Sequence, residues 1–580
     1  MLEFIQLIKH RYQIVLGYLE KKNSQWYEYQ IRAEQLLYAE AFIRKGQLIA
    51  AKPDFPLQIA VIGPTQAGKS SIVNLLLNNA MAGVSPLAGY TVHAHGYCHN
   101  LASNDLDDLQ HYFGRFQCLD EAMLSRSRYD CYSLSTSQLS SKLLPPCVCW
   151  DTPDFDSIDA ADYREGVIRT IALADVVVLV VSKEKYADQS VWEIMHTISS
   201  FQQPTLICLN KLSADSESEV LPSLQAKWRQ FRSDPVPEIV PLFFQKPGGL
   251  PVWPANKERA IINLVKKVQH GKHAVNQQQL LQRYWSQWLA PVYAEHEAEQ
   301  SWRLLVDQSI KQAVTNYQRD YLNHPHHYET FQNALLNMLK LLEIPGFARV
   351  MGKTRRALTW PIRKLHSLGQ DKIYGNIVQE IVVLNQIGEH VMINLADKLL
   401  EKNETGTPPH TWWKDTASLL RQKKTEILGE YVQAVEHYHL GFQQDVEVAA
   451  QRLYHKLQEQ PMILNSLRAT RVTTDTAAIL LAIQAGGIGV HDLVLAPLML
   501  SFSSLLAESA IGSYMTRVEA ELKLHQLNTV KSQVFEAVLR NRLNLLPQQI
   551  LNNNRFNISE QQCHQAEQAL SGKKHGLRLL

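Results

Sequence analysis

One run in the sequence has residue types and spacing that could do chemistry: Gly63-Pro64-Thr65-Gln66-Ala67-Gly68-Lys69-Ser70. It has the form G-x-x-x-x-G-K-[ST], and it lies between an apolar strand-like stretch, Leu57–Ile62, and a helical stretch beginning near Lys69. Glycines at such positions let backbone N–H groups curl around phosphate oxygens, and the N-terminus of the following helix adds a favourable dipole. The expected phosphate contacts are Gly63, Gln66, Ala67, Gly68, Lys69, Ser70 and Ser71. Lys69 would reach the β- and γ-phosphates of a nucleotide, and Ser70 would hold magnesium.

A loop of this kind needs a strand to hold it and a sheet to hold the strand. Strand-like runs recur at Leu57–Ile62, Thr91–Cys98, Cys147–Asp151, Val176–Ser182, Thr205–Leu209 and Ile239–Phe244, alternating with helical stretches. That alternation predicts a mostly parallel six-stranded sheet covered on both faces. Residues 109–142 form a long interruption, read as an insertion with its own helix.

Downstream of the loop, Ser71-Ile72-Val73-Asn74-Leu75-Leu76-Leu77 completes a GKSS-x-x-N-x-L-L run. With it, the segment from about 55 to 270 resembles the translation-factor-like P-loop GTPases, in particular their Era, septin and dynamin branches. The resemblance implies a Ras-like α/β domain, a guanine nucleotide as substrate and Mg2+ as cofactor. It also implies that Thr91, in Gly89-Tyr90-Thr91-Val92, is the switch threonine on magnesium, and that Asp151 positions the same ion. In Asp151-Thr152-Pro153-Asp154-Phe155, Asp154 stands where the family has glycine and Phe155 where small GTPases place a water-orienting glutamine. A carboxylate there would repel a terminal phosphate unless turned away. Asn210-Lys211-Leu212-Ser213 matches the base-reading N-K-x-D motif in its first two residues, so Asn210 and Lys211 are expected at the nucleotide. Ser213 replaces the aspartate and Asp215 is two residues out of register, so relaxed guanine selectivity stays open; a further base-side loop is suggested at Gln245-Lys246. Lys69, Thr91 and Asp151 would serve the hydrolytic step.

The rest of the chain is of another texture. It has 580 residues, 45% hydrophobic and 20% charged, with 58 Lys plus Arg against 56 Asp plus Glu and a net charge of +2. Such a balance excludes a disordered chain and a polyanion binder as a whole. Seven scattered cysteines without C-x-x-C pairs indicate neither a disulfide framework nor a zinc ribbon, and the compartment is read as a reducing cytoplasm. Residues 1–52 read as a helical segment packing with C-terminal helices, 53–272 as the nucleotide domain, and 273–580 as a helical bundle or stalk. The stripe Tyr431, Val435, Tyr438, Phe442, Val446, Ala449, Leu453 and Leu457 predicts one long helix with a buried face, and Leu527, Val530, Val534 and Val538 continue the style. His437 and His439 stand two apart, on different helix faces, and read as solvated, as does His324-Pro325-His326-His327.

Two local extremes interrupt that helical half. Residues 346–370 carry Arg349, Lys353, Arg355, Arg356, Arg363 and Lys364 without an acidic residue, interleaved with Phe347, Met351, Trp360 and Ile362. This composition suits an anionic membrane surface, RNA, or a solvated face over a packed stripe. Residues 472–516 lack Lys and Arg altogether. They read either as a hairpin dipping into one leaflet or as a buried helical hairpin. Together with the G domain this arrangement resembles bacterial dynamin-like GTPases. The resemblance implies self-association and a peripheral place at the inner face of a membrane; a soluble GTPase acting on ribosomes or RNA, and a weakly hydrolysing nucleotide-binding scaffold, are the alternatives.

Overall fold

The computed structural model describes residues 1–21, 24–79, 81–83, 91–101, 106, 108–125, 127–136, 144–154, 161–244, 252–254, 257, 259–268, 270–323, 378–404, 409–459, 512–550, 553 and 555–572. The 346–370 segment, residues 472–511, the histidines at 324–327, Phe155 and Gln245-Lys246 lie outside the described residues. The chain divides into two compact units, Met1–Tyr293 with Asn552–Leu580, and Ala294–Leu551. The division falls within the helix His273–Tyr317 rather than at its start.

The first unit is built on an eight-stranded sheet, in the order β3-β4-β2-β5-β1-β6-β7-β8. Its strands are β1 (Leu57–Ile62), β2 (Ala94–His99), β3 (Gln117–Cys118), β4 (Cys131–Thr136), β5 (Cys147–Asp151), β6 (Val176–Ser182), β7 (Thr205–Leu212) and β8 (Glu238–Phe243). The six expected strands are all present. The insertion does carry a helix, Asp108–Phe113, but it also adds β3 and β4, so the expected six-stranded sheet has eight strands. The added strands were hidden in the sequence because the β4 run, Cys131–Thr136, is rich in serine and threonine rather than aliphatic residues. Pairing is parallel throughout except between β2 and β5, where His95 stands opposite Asp151.

The near-continuous apolar runs of β5 and β6 follow from burial on both faces. Every residue of Val176–Ser182 is buried, as are Cys147 and Cys149. One face packs under α3 (Lys69–Leu77) and α8 (Arg259–Val265), with Ile72, Leu76 and Ile261 against Ile59, Val178 and Cys208. The other face is covered by α2 (Ser24–Ala51), α5 (Ala161–Leu173), α6 (Gln189–Ile198) and α7 (Glu217–Phe231). The N-terminal helix α1 (Leu2–Tyr18) closes this side, its Tyr12 hydroxyl donating to the Trp288 carbonyl at 2.9 Å.

Glu40 of α2 ties this layer together. Its carboxylate pairs with Lys9, with Arg44 at 3.1 Å and with Arg169 at 3.6 Å, and accepts a bond from Gln6. The side chain is 2% exposed.

The second unit is helical. After the last turns of α9 (His273–Tyr317) it contains α10 (Val378–Glu404), α11 (His410–Gln458) and α12 (Gly512–Thr529), the last continuing as a π-helix over Val530–Arg540. In the stripe of α11, Tyr431, Val435, Tyr438, Phe442, Val446, Ala449 and Leu453 are all buried, as the spacing predicts. Downstream, the wider π turn moves the seam: Val530 and Val534 are buried as expected, but Leu539 takes the core position and Val538 is only partly buried. His439 is a correction. It is buried, with Nδ1 3.1 Å from Glu380 Oε2. Glu380, 2% exposed, also accepts bonds from Tyr317 (2.6 Å), Tyr438 (2.9 Å) and Gln526 (2.9 Å). A buried carboxylate persists only when it is satisfied in this way. Residue spacing alone placed His439 beside His437 and could not reveal a partner 59 residues away. Among the described residues no helix is long and apolar enough to cross a membrane.

Glu40 gives this fold a pH signature. Burial would push its carboxyl up, but Lys9 and Arg169 outweigh that and hold it at about 2. A carboxylate depressed by folding contributes stability that is complete above its unfolded value, 4.5, and lost as the pH falls through 2. Glu40→Gln is therefore expected to be less stable than the parent by about 3 kcal/mol at pH 7. That gap should close between pH 4.5 and 2, as measured by urea unfolding across the range.

Candidate functional site

The site lies where β1, β5, β6 and β7 end together, a consequence of their shared parallel direction and register. From β1 the chain turns through residues 63–68 into α3, whose N-cap Gly68 has φ 94°. A side chain at Gly68 would run into the Asn210 amide, and one at Gly63 would run into the Val180 carbonyl. Gly63 is thus required by close backbone approach, and Gly68 by its left-handed conformation together with the Asn210 side chain packed against it. Gln66 is exposed and left-handed too, at φ 62°.

Asn210 and Lys211 hold this loop from the next strands. Asn210 Nδ2 donates to the Ala67 carbonyl at 3.0 Å, and Lys211 Nζ to the Gln66 carbonyl at 2.7 Å. Ser213 does something else. Its hydroxyl lies 2.8 Å from Ser216 Oγ in a capping box that starts the turn leading into α7. Asp215 is in that short helical turn and exposed.

Lys69 opens α3 and is 5% exposed. Its ammonium donates to the Gly63 carbonyl at 3.1 Å and the Pro64 carbonyl at 3.4 Å, and forms an ion pair with Asp154. Ser70 Oγ donates to Asp151 Oδ2 at 2.6 Å. Asp151 ends β5, 3% exposed, and among the described residues its second oxygen, Oδ1, has no hydrogen-bond partner. Burial pushes its carboxyl up to about 6, with the Ser70 bond and Lys69 pulling the other way. An orphaned buried carboxylate oxygen beside a hydroxyl fits a hard divalent cation, which takes oxygen ligands and would relieve the burial of that charge. Ser70 and Asp151 could hold such an ion, whose chemistry would be to neutralise phosphate charge.

Of the remaining expected residues, Ser71 is half-buried in the first turn of α3. Thr91 is half-buried three residues ahead of β2, and the His95–Asp151 register carries that approach to the edge where β5 ends. Among the described residues, no hydrogen bond joins Thr91 to Ser70 or Asp151. Sequence reasoning left out three supports. Asn74 clamps residue 82 in both directions, at 2.9 and 2.7 Å. Thr152 Oγ1 donates to the Val61 carbonyl at 2.8 Å, and the Tyr163 hydroxyl to the Asp154 carbonyl at 2.7 Å. Asn74 was visible inside the GKSS-x-x-N run; Tyr163 carried no signal.

Residues 58–211 match the family model described as 50S ribosome-binding GTPase. The match runs from β1 to Lys211, and this part of the chain is a P-loop GTPase domain. No curated protein matches the chain. Two solved structures to which it is similar are described as an oligomerised bacterial dynamin pair providing a mechanism for the long-range sensing and tethering of membranes. Their sequence identities are 10% and 9%, with TM-scores of 0.32 and 0.30. The alignments cover 92% and 94% of this chain and 95% and 94% of those chains.

Gly68→Ala tests the backbone argument. The added methyl must displace the Asn210 amide while φ stays in the left-handed region, a strain of about 1–2 kcal/mol. Expected are a melting temperature lowered by several degrees and nucleotide affinity reduced by about tenfold or more, read by calorimetry and fluorescent-nucleotide titration.

Proposed function

We propose that the chain is a magnesium-dependent GTPase that hydrolyses GTP to GDP and phosphate and passes its nucleotide state to the helical unit. The observation that carries this reading is the convergence at one sheet edge of the Lys69 ammonium, the loop's backbone and the Ser70–Asp151 oxygen pair. Water would attack the γ-phosphorus in line while the β–γ bridging oxygen leaves with the electron pair. Lys69 and the backbone N–H groups would stabilise the charge that develops on the phosphate oxygens. Ser70, Thr91 and Asp151 would hold magnesium, and Asn210 and Lys211 would shape the base side.

The guanine pocket departs from the family pattern. The Ser213 hydroxyl is engaged with Ser216, so it supplies no carboxylate to the two guanine N–H groups. Preference for GTP over ATP is accordingly expected to be smaller than an intact carboxylate would give, by about 10- to 100-fold.

The target of the helical unit is read from sequence. The basic, aromatic-interleaved segment 346–370 supports docking on an anionic membrane, in the manner of bacterial dynamin-like proteins, with self-association. A second reading, action on a ribosome, has its support in the ribosome-binding character of the matching family and in the same basic segment.

One set of measurements separates these readings: GTP and ATP affinity and phosphate release by the full chain, alone, with anionic vesicles, and with ribosomes. GTP binding with magnesium-dependent release that rises on vesicles is expected. Lys69→Ala should abolish nucleotide binding; unchanged binding in that variant would falsify the assignment of the loop. Stimulation by ribosomes and not by vesicles would select the second reading.

A further inference from the structure

Lys69 has three N–H donors, and the protein itself engages them. The Gly63 and Pro64 carbonyls and the Asp154 carboxylate are their partners. The ion pair is internal, with side-chain exposures of 5% and 8%. Its acidic member is also held in place, since the Tyr163 hydroxyl donates to the Asp154 carbonyl at 2.7 Å. Asp154 thus presents to the lysine what a phosphate would present: an anionic oxygen, buried, at the mouth of the loop.

We infer that Asp154 is a specificity-determining residue that occupies the terminal-phosphate position on Lys69 and makes the chain bind nucleoside diphosphate in preference to triphosphate. The inference rests on the nucleotide reading above and concerns which phosphate must displace the carboxylate. In a loop of this form the backbone N–H groups cradle the α- and β-phosphates, and the lysine serves the β/γ pair. A diphosphate draws on the lysine through its β-phosphate alone, so Asp154 can stay near its place. A triphosphate brings a further phosphate to the same ammonium, so it has to displace the carboxylate and then sits beside a group of its own charge. In a buried site both effects are strong, since breaking an internal ion pair is costly and like charges repel. Asp151, three residues earlier on the same chain segment, adds a second carboxylate to this cluster.

The test is equilibrium binding of GDP and of a non-hydrolysable GTP analogue, with magnesium, to the full chain and to Asp154→Asn and Asp154→Gly, with folding followed by thermal melting. The parent is expected to bind GDP about tenfold more tightly than the analogue. Both variants should bind the analogue about tenfold more tightly than the parent does, with GDP affinity nearly constant, so that the preference disappears. A parent that binds the analogue as tightly as GDP overturns the inference, and this arm needs no variant to fold. So does a preference that survives both substitutions, or an analogue affinity that falls, which would place Asp154 on the nucleotide's side. In all three of those outcomes nucleotide binding itself persists and the GTPase reading stands. Absence of binding by the parent to either nucleotide sinks both.

Discussion

The functional end of this protein depends on how closely its backbone segments approach one another. The loop after β1 lies against the Val180 main-chain carbonyl on one side and the Asn210 side-chain amide on the other, with no room for a β-carbon at either glycine. That approach is possible because β1, β6 and β7 run parallel and β6 and β7 continue past the end of β1, Ile62 lying beside Leu179 and Ser182 beside Asn210. The site is therefore a property of the sheet's register. Asn210 and Lys211 contribute to it by gripping main-chain carbonyls of the loop, so residues expected to read a base also hold the phosphate cradle in shape.

Charge is arranged around that cradle with little margin. Two buried carboxylates, Asp151 and Asp154, share the vicinity of Lys69, and among the described residues Asp151 Oδ1 has no hydrogen-bond partner. An arrangement of this kind is costly in the absence of a bound cation and phosphate, and its cost is a form of pre-organisation: the protein holds apart groups that a ligand would bring into balance. A buried carboxylate with both oxygens engaged appears in the helical unit. There Glu380 gathers two tyrosines, a glutamine and a histidine and leaves neither of its oxygens wanting.

Much of this was legible from residue order. Strand ends at Ile62, Asp151 and Ser182 coincide with the expected ones, because short, mostly apolar runs bounded by turn residues report two-sided burial. The α11 stripe held for the same reason at helical period. What escaped has physical causes. β4 carries the hydroxyl-rich run Cys131–Thr136 and so lacked an apolar signature. A π-helical turn shifted the seam from Val538 to Leu539, and a period of three and four cannot anticipate that. Asp154 read as a carboxylate in need of avoidance; its partnership with Lys69, 85 positions away, is a contact between segments that pattern does not encode.

The insertion between β2 and β5 has a consequence for assembly. By adding β4 and β3 it turns β2 from a border strand into an interior one. The border it creates, β3, is two residues long, and the opposite border, β8, contains Pro241, which has no N–H to offer. Short and proline-bearing margins are how sheets refuse an incoming strand. Among the described residues, β3 and the proline of β8 therefore make poor templates for a strand from another copy of this chain.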